Sequence, residues 1–291
     1  MLKLLITLFL IPFGLFAQQS DLFLFDIHKF TDRLDVSNPR LLSGFNPGGY
    51  TNQPHFLDLF TMVVSAGRVP SPTETDIYQL NIRNDQLIRV TKTPDREYSP
   101  MSGPDRGHLS CVLVDGDDQE KQILWSYPLD RSHGGKAILK DITKVGYYCW
   151  IDRRQVAVFE VGDPSQLFIC NIADGTKKFI SSKVGRCLKK LPDGSLAYVH
   201  KISEEYWFIK KVHPETHSID VVKKTLPGSE DFEVMRDGTI LMAKESKIYA
   251  LGPSEGSQWV EVADLEPAGL QAISRLAYNG VNLLAVVNDR P

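Results

Sequence analysis

TDIYQLNIRNDQLIRVTKTPDREYSPMSGPDRGHL, residues 75–109, contains the pattern that decides the fold. Polar and apolar residues alternate over 76–80 and again over 87–91, which predicts two short β-strands. An Asn-Asp pair lies between them and is typical of a hairpin turn. A third strand is predicted near 97–100, and a glycine-containing turn then leads into a fourth. This stretch therefore predicts a unit of several short strands.

The aromatic-centred strand of this unit recurs along the whole chain. Its six copies have central residues 40 to 55 positions apart and lie at 22–24, 77–79, 123–125, 167–169, 207–209 and 248–250. A period of this length with several strands per repeat is typical of a β-propeller blade. The repeat therefore predicts an all-β fold.

A turn and an apolar run precede most of these strands. Asp193-Gly194, Asp237-Gly238 and Asn279-Gly280 are pairs that tolerate the positive φ of tight hairpins. Continuous apolar runs predict strands buried on both faces, at 59–64, 109–114, 156–161, 196–199, 240–243 and 281–287. More polar outermost strands are predicted at 87–92, 138–143, 178–182, 219–223 and 259–263.

The two ends of the chain complement each other. The last repeat has its turn at Asn279-Gly280 and one strand after it, so it lacks two outer strands. Residues 21–26 and 40–42 supply a surplus pair near the start of the chain. We therefore predict a six-bladed propeller of four-stranded blades, in which N-terminal strands complete the last blade and leave no unpaired edge.

The repeat resembles that of TolB-like β-propellers, a WD40-like repeat. The matching residues are Ile77-Tyr78 with Leu80, Arg89-Val90-Thr91, Glu97, Ser99-Pro100, and Pro104-Asp105 followed by Gly107, with Gly103 where the family pattern has serine. The resemblance implies a non-catalytic binding or scaffold protein.

Composition and the N-terminus limit the partners and the location. Lys plus Arg (33) and Asp plus Glu (36) nearly balance at a net charge of −3, so counterion release would contribute little to nucleic-acid binding. Lys3, the apolar run 4–16 and Ala17-Gln18 are typical of a cleaved signal peptide; a membrane anchor is the alternative. We expect residues 1–17 to be removed and 18–291 to form one monomeric domain, periplasmic or secreted, without stable membrane insertion.

Four cysteines, Cys111, Cys149, Cys170 and Cys187, lie inside apolar strand patterns. Their even number in an exported protein permits two disulfides, while their positions favour buried free thiols. No Cys-x-x-Cys spacing occurs, and we expect no metal or other cofactor.

Two short motifs have a functional and a structural interpretation. Residues 252–256 match the Gly-x-Ser-x-Gly pattern of serine hydrolases, but a predicted strand follows where a nucleophile elbow needs a helix. The acidic loop 115–118 with Glu120 could hold Ca²⁺, although a solvated hairpin fits its incomplete ligand spacing better.

Crossings from the outer strand of one blade to the inner strand of the next converge at one mouth of a propeller channel. This geometry predicts that a polar peptide, protein or glycan binds there. The predicted ligand-binding residues are Arg96, Glu97, Tyr98, Tyr147, Tyr148, Arg186, Glu230 and Asp231, all at least partly exposed. The structural alternative is that these residues cap strand ends and pair with each other.

Two other functions remain open at this point. A glycosidase or lyase acting on polysaccharide would need carboxylates about 5–10 Å apart across the channel, for which Glu97 with Glu230 or Asp231 are the candidates. A purely structural module would instead dock a partner on a flat, apolar face.

Overall fold

The structure is a computed structural model that describes residues 19–31, 33–67, 74–105, 107–131 and 133–290. The predicted signal peptide, residues 1–17, lies outside the described residues. Within the described part of the chain no helix is long and apolar enough to cross a bilayer.

The described residues form an all-β structure of 24 strands with two three-residue 3₁₀ turns, Ser43–Phe45 and Glu266–Ala268, and no α-helix. The first twelve strands are β1 Gln19–Lys29, β2 Leu34–Leu41, β3 Tyr50–Phe56, β4 Thr61–Gly67, β5 Thr75–Asn81, β6 Gln86–Arg89, β7 Arg96–Ser102, β8 His108–Val114, β9 Gln122–Pro128, β10 Lys136–Ala137, β11 Val145–Trp150 and β12 Gln155–Glu160. The remaining twelve are β13 Gln166–Asn171, β14 Lys177–Ser182, β15 Val184–Lys190, β16 Leu196–Lys201, β17 Trp207–Val212, β18 Ile219–Lys224, β19 Phe232–Val234, β20 Ile240–Lys244, β21 Lys247–Leu251, β22 Trp259–Asp264, β23 Ile273–Tyr278 and β24 Leu283–Arg290.

Most strands form four-stranded antiparallel sheets in which neighbours along the chain are neighbours in the sheet. Four such sheets are β7–β10, β11–β14, β15–β18 and β19–β22. Gly194, Gly238 and Gly280 have φ between +82° and +87°, as the predicted Asp-Gly and Asn-Gly turns require. The repeated four-stranded unit predicted from the sequence is therefore confirmed.

The fifth sheet combines strands from both ends of the chain. β1 runs antiparallel to β24 from Gln19 opposite Arg290 to Asp26 opposite Leu283, and β2 pairs with the other edge of β1. A single parallel bridge between Ser20 and Tyr50 joins this group to β3–β6. The sheet thus consists of two antiparallel units, one formed by β3–β6 and one by β23, β24, β1 and β2.

Apolar clusters fill the spaces between units. In one cluster Phe25 and Leu284 of the unit with both chain ends pack with Leu241 of β20. In another, Leu22 and Val287 of the same unit pack with the β4 and β5 side of the β3–β6 unit. Four further clusters join β4 and β5 to β8 and β9, and then each following unit to the next. The central strands are buried on both faces, which explains their continuous apolar runs.

One predicted outer strand is wrong. Residues 138–143 do not form a strand, and β10 is only the two-residue Lys136–Ala137. Leu139 and Ile142 instead form a turn whose side chains fill the cluster between β8 and β11. Their apolar spacing reflects burial between two units rather than alternation along a strand.

All four cysteines are free and buried, in agreement with their positions in strand patterns. Burial raises the pKa of Cys111 and Cys187 well above the ordinary thiol value and that of Cys149 to about 11. Because the thiolate is the reactive form, both burial and pKa oppose modification.

We expect slow labelling of the native protein by a thiol reagent and reaction of four thiols after denaturation without reductant. Thiol counting with and without denaturant measures this. A count of zero in the denatured, non-reduced protein would establish two disulfides and contradict the expectation.

Candidate functional site

Six successive inner segments converge on one small cavity of about 70 Å³, called the throat below. Each segment contributes a polar residue to its wall: Gln53 from β3, Ser99 from β7, Tyr147 from β11, Arg186 from β15, Asp231 just before β19 and Arg275 from β23. Residues far apart in sequence therefore surround a common space.

Breaks in strand register place these side chains. The pairing of the inner strands shifts around Gln53, Ser99 and Gly146, and β15 and β23 carry equivalent irregularities. Gln53 and Ser99 have φ of +55° and +52°, so the backbone is bent locally into the left-handed region. Such bulges re-aim side chains, here toward the throat.

Three larger cavities adjoin the throat, with volumes of about 280, 430 and 630 Å³; together they are called the mouth. Arg186 lines the throat and all three mouth cavities, and Tyr147 lines the throat and two of them. Both side chains are partly exposed. Tyr147 and Arg186 therefore occupy the junction between throat and mouth.

Arg275 is held by partners on two other units. Its guanidinium lies 3.4 Å from the Asp231 carboxylate and donates to the Tyr147 hydroxyl over 3.2 Å. The second Asp231 oxygen accepts from the Leu276 backbone N–H. With only 14% of its side chain exposed, Arg275 forms a fixed positive wall of the throat.

Arg186 belongs to a second ion-pair group. Glu230 lies 3.5 Å from Arg186 Nε through one oxygen and 2.6 Å from Lys201 Nζ through the other. A Cβ at Gly185 would lie 2.9 Å from the second oxygen, so a glycine leaves room for this carboxylate. Burial raises the pKa of Glu230, but the Lys201 hydrogen bond and the nearby cations outweigh it and hold that pKa below its ordinary value.

The structure brings together most of the predicted site. Tyr98, Tyr147, Arg186, Glu230 and Asp231 line the throat or the mouth, and Tyr148 lines the throat from within the wall. Arg96 lies at the start of β7, partly exposed, and lines neither space.

The expected partial exposure is wrong for Glu97 and Tyr148. Glu97 is 0% exposed, and its carboxyl group accepts hydrogen bonds from Tyr127 (3.0 Å) and Thr93 (2.5 Å). The Tyr148 hydroxyl donates to the Ser99 carbonyl or to Ser110 Oγ, both 3.0 Å away. Side chains alternate along an inner strand, so these two face the packed space between neighbouring units.

Burial raises the pKa of Glu97 to about 7, against the hydrogen bonds from Thr93 and Tyr127 that lower it. This is the raised pKa that a catalytic acid needs, but the group is enclosed by Thr91, Thr93 and Tyr127. It therefore cannot face Glu230 or Asp231 as the carboxylate pair of a polysaccharide-acting enzyme.

Sequence reasoning missed Arg275 and its neighbour Ser274. No ligand-binding residue was predicted beyond Asp231, whereas Arg275 lines the throat and Ser274 lines the mouth. The sequence feature that could have identified Ser274-Arg275 is a small residue followed directly by a large polar one, as in Gly146-Tyr147 and Gly185-Arg186.

The two short motifs adopt hairpin structures. Residues 252–256 connect β21 to β22 without a helix, so the serine is not at a nucleophile elbow. The Asp115 carboxylate accepts from the backbone N–H groups of Asp117 and Asp118 and from Lys121 Nζ. Among the residues that the structure describes, no group of three or more His, Cys, Asp or Glu side chains is placed to hold a metal ion.

Neither a protein-family model nor a curated protein matches this sequence. Solved structures do match the fold. A putative TolB from Agrobacterium tumefaciens has a TM-score of 0.67 at 12% identity, covering 94% of this chain and 99% of that chain. TolB from Acinetobacter baumannii has a TM-score of 0.57 at 11% identity, covering 92% of this chain and 65% of that chain.

An oligogalacturonate lyase in complex with manganese matches with a TM-score of 0.51 at 12% identity, covering 94% of this chain and 98% of that chain. At such identities the likeness concerns the fold alone. The repeated four-stranded sheets and the match over nearly the whole chain agree with the family pattern seen in residues 75–109. The chain therefore has the fold of the TolB-like β-propellers.

Proposed function

We propose that this protein is an exported binding or scaffold propeller that recognises a protein, peptide or glycan at the mouth and catalyses no reaction. The observation that carries the proposal is the position of Tyr147 and Arg186, partly exposed where the throat opens into the mouth. An aromatic side chain and an arginine at the centre of a concave site are the residue types that most often anchor a bound partner.

The architecture in this proposal is a ring of six blades closed by the N-terminal strands. Its support is the order of the apolar clusters, each of which joins one unit to the next. The cluster with Phe25 joins the last unit to β20, and the cluster with Leu22 joins it to the first. Following the clusters from unit to unit thus returns to the starting unit, as in a closed ring.

The state of the charged groups favours binding over acid–base catalysis. A glycosidase needs one carboxyl group with a raised pKa beside a second carboxylate. Glu230, with its lowered pKa, stays ionised near neutral pH and is already paired with Lys201 and Arg186. The lyase among the structural neighbours shares the fold. Glu230 and Asp231, the mouth carboxylates predicted for such an enzyme, are each paired with cations instead.

Export is the second part of the proposal. It rests on the apolar run 4–16 followed by Ala17-Gln18, and the proposed location is the periplasm or the exterior of the cell. We propose a monomer, since the outer strands β6, β14 and β18 carry lysine or arginine and β22 carries Glu261 and Asp264, and such charges oppose edge pairing.

Replacing Tyr147 or Arg186 by alanine is expected to weaken ligand binding by about 1–3 kcal/mol with little change in melting temperature. The ligand is first identified by screening the mature chain against peptide and glycan arrays. Affinity and melting temperature are then measured for each variant beside Lys223→Ala. Lys223 lies on the outer strand β18, away from the mouth, and is the matched basic control.

Parental affinity in both mouth variants would contradict the proposal. So would a loss of binding that follows only from unfolding, seen as a large fall in melting temperature. Either result would favour the alternative in which these residues serve to cap strand ends and pair with each other.

A further inference from the structure

Polar atoms around the throat have unused hydrogen-bonding capacity. Arg186 Nε, Ser99 Oγ and Ser274 Oγ are buried and have no hydrogen-bond partner among the described residues. Ser99 lines the throat, and the Ser274 carbonyl accepts from Arg186 Nη2 over 3.2 Å, which places Ser274 beside the guanidinium. Buried polar groups are almost always satisfied in native proteins, so three such atoms at one place indicate a missing partner.

The charges at the same place are uneven. Arg186 and Lys201 share the single carboxylate of Glu230, while Arg275 pairs with Asp231. Among the described residues that line the throat itself, Arg186, Lys189 and Arg275 are cations and Asp231 is the carboxylate. Glu230 and Glu233, which pair with Arg186 and Lys189, lie outside the throat wall. The wall of the throat therefore has more cations than carboxylates. Asp289 lines two of the mouth cavities but not the throat.

The Arg186 Nε–H, which lies 3.5 Å from Glu230 without a hydrogen bond to it, can only donate, and both serine hydroxyls can donate as well. Donors with an excess positive charge need an acceptor that brings negative charge. From these contacts we infer that the throat binds a carboxylate group carried by the ligand. This inference rests on the proposed function, because it takes the throat and mouth as the ligand site.

The size of the throat indicates how the carboxylate is carried. A volume of about 70 Å³ holds roughly five water-sized groups, enough for a carboxylate on a short stem. A pyranose ring is larger, and in a uronic acid the carboxylate is attached directly to the ring. The ligand is therefore a peptide or protein segment that inserts an Asp or Glu side chain, or a C-terminus, past Tyr147.

The test compares matched ligands on an array. Each peptide that contains one Glu is paired with the same peptide containing Gln, and each uronate oligosaccharide with its neutral hexose counterpart. For peptides that bind the mature protein, we expect the Glu member to bind about tenfold more tightly than the Gln member. No such preference is expected between the two kinds of oligosaccharide.

Variants then show which residues of the protein produce the preference for Glu over Gln peptides. Arg186→Gln is expected to reduce the Glu-to-Gln affinity ratio to about one, and Lys223→Ala to leave it at the parental value. Ser274→Ala removes a hydroxyl that has no partner in the free protein. It is therefore expected to lower the ratio about threefold without lowering the melting temperature, which separates ligand binding from stability.

Equal binding of Glu and Gln peptides would overturn the inference while leaving the proposed function intact, and so would a preference that survives in Arg186→Gln. A preference for uronate oligosaccharides alone would overturn the peptide source. Failure of every peptide and glycan to bind would overturn the proposed function together with the inference.

Discussion

Deleting residues 19–44 is expected to give a protein that aggregates instead of folding to a stable monomer. The deletion removes β1, whose Leu22, Leu24, Phe25 and Ile27 are buried in two separate clusters. Burial of each large apolar side chain stabilises the fold by about 1.5–3 kcal/mol, so the four together account for roughly 6–12 kcal/mol of folding free energy that the deletion removes. That is comparable to the entire stability of a typical domain, about 5–15 kcal/mol.

The deletion would also turn β24 into an unpaired, apolar edge strand, which is a template for aggregation. Size-exclusion chromatography and thermal unfolding measure the result, with the chain beginning at Gln19 as the control. A milder test compares two single substitutions. Leu22→Asp places a charge in a buried interface, whereas Val221→Asp on β18 changes a side chain that is 62% exposed and serves as its control. A monomeric deletion variant with the parental melting temperature would contradict the role given to β1.

The central strands could be predicted because a strand buried on both faces is a continuous apolar run, which can be recognised without knowing which strands pack against it. Central strands such as β12 and β16 are continuous apolar runs, and a pairing of both chain ends followed from counting strands. Residues 138–143 show the limit of this reasoning. Leu139 and Ile142 are as apolar as strand residues but are buried by a turn, and composition cannot distinguish the two cases.

For the site, the sequence alone could predict only which loops meet, and not which of their side chains line the throat. Whether a side chain enters the throat or the packed space between units depends on a register shift of one residue. The shift between Tyr98 and Met101 decides that Ser99 lines the throat while Glu97 is enclosed. Arg275 was missed for a separate reason, because residues 265–272 lie between β22 and β23 and place its strand far beyond the preceding outer strand.

Replacing Glu97 by glutamine is expected to stabilise the protein at pH 8 by about 2.5 kcal/mol relative to its effect at pH 5. Burial raises the folded-state pKa of Glu97 from 4.5 to about 7. Between these values the folded protein binds more protons than the unfolded chain, so the contribution of Glu97 to stability falls as pH rises. Below pH 4.5 the carboxyl group is neutral in both states and this term disappears.

His55 contributes to the pH dependence of stability with the opposite sign, over a pH range that overlaps that of Glu97. Burial, with the charge of Lys189, lowers its pKa from 6.5 to about 4, so its contribution to stability falls as pH drops through that window. The two terms partly cancel in the parent, whose pH profile alone cannot separate them. The measurement is therefore the difference in unfolding free energy between Glu97→Gln and the parent, from urea titrations at pH 5, 6, 7 and 8. Because His55 is present in both proteins, its term cancels in that difference.

A difference that stays constant from pH 5 to pH 8 would mean that Glu97 titrates alike in the folded and unfolded chain, contrary to its enclosure by Thr91, Thr93 and Tyr127.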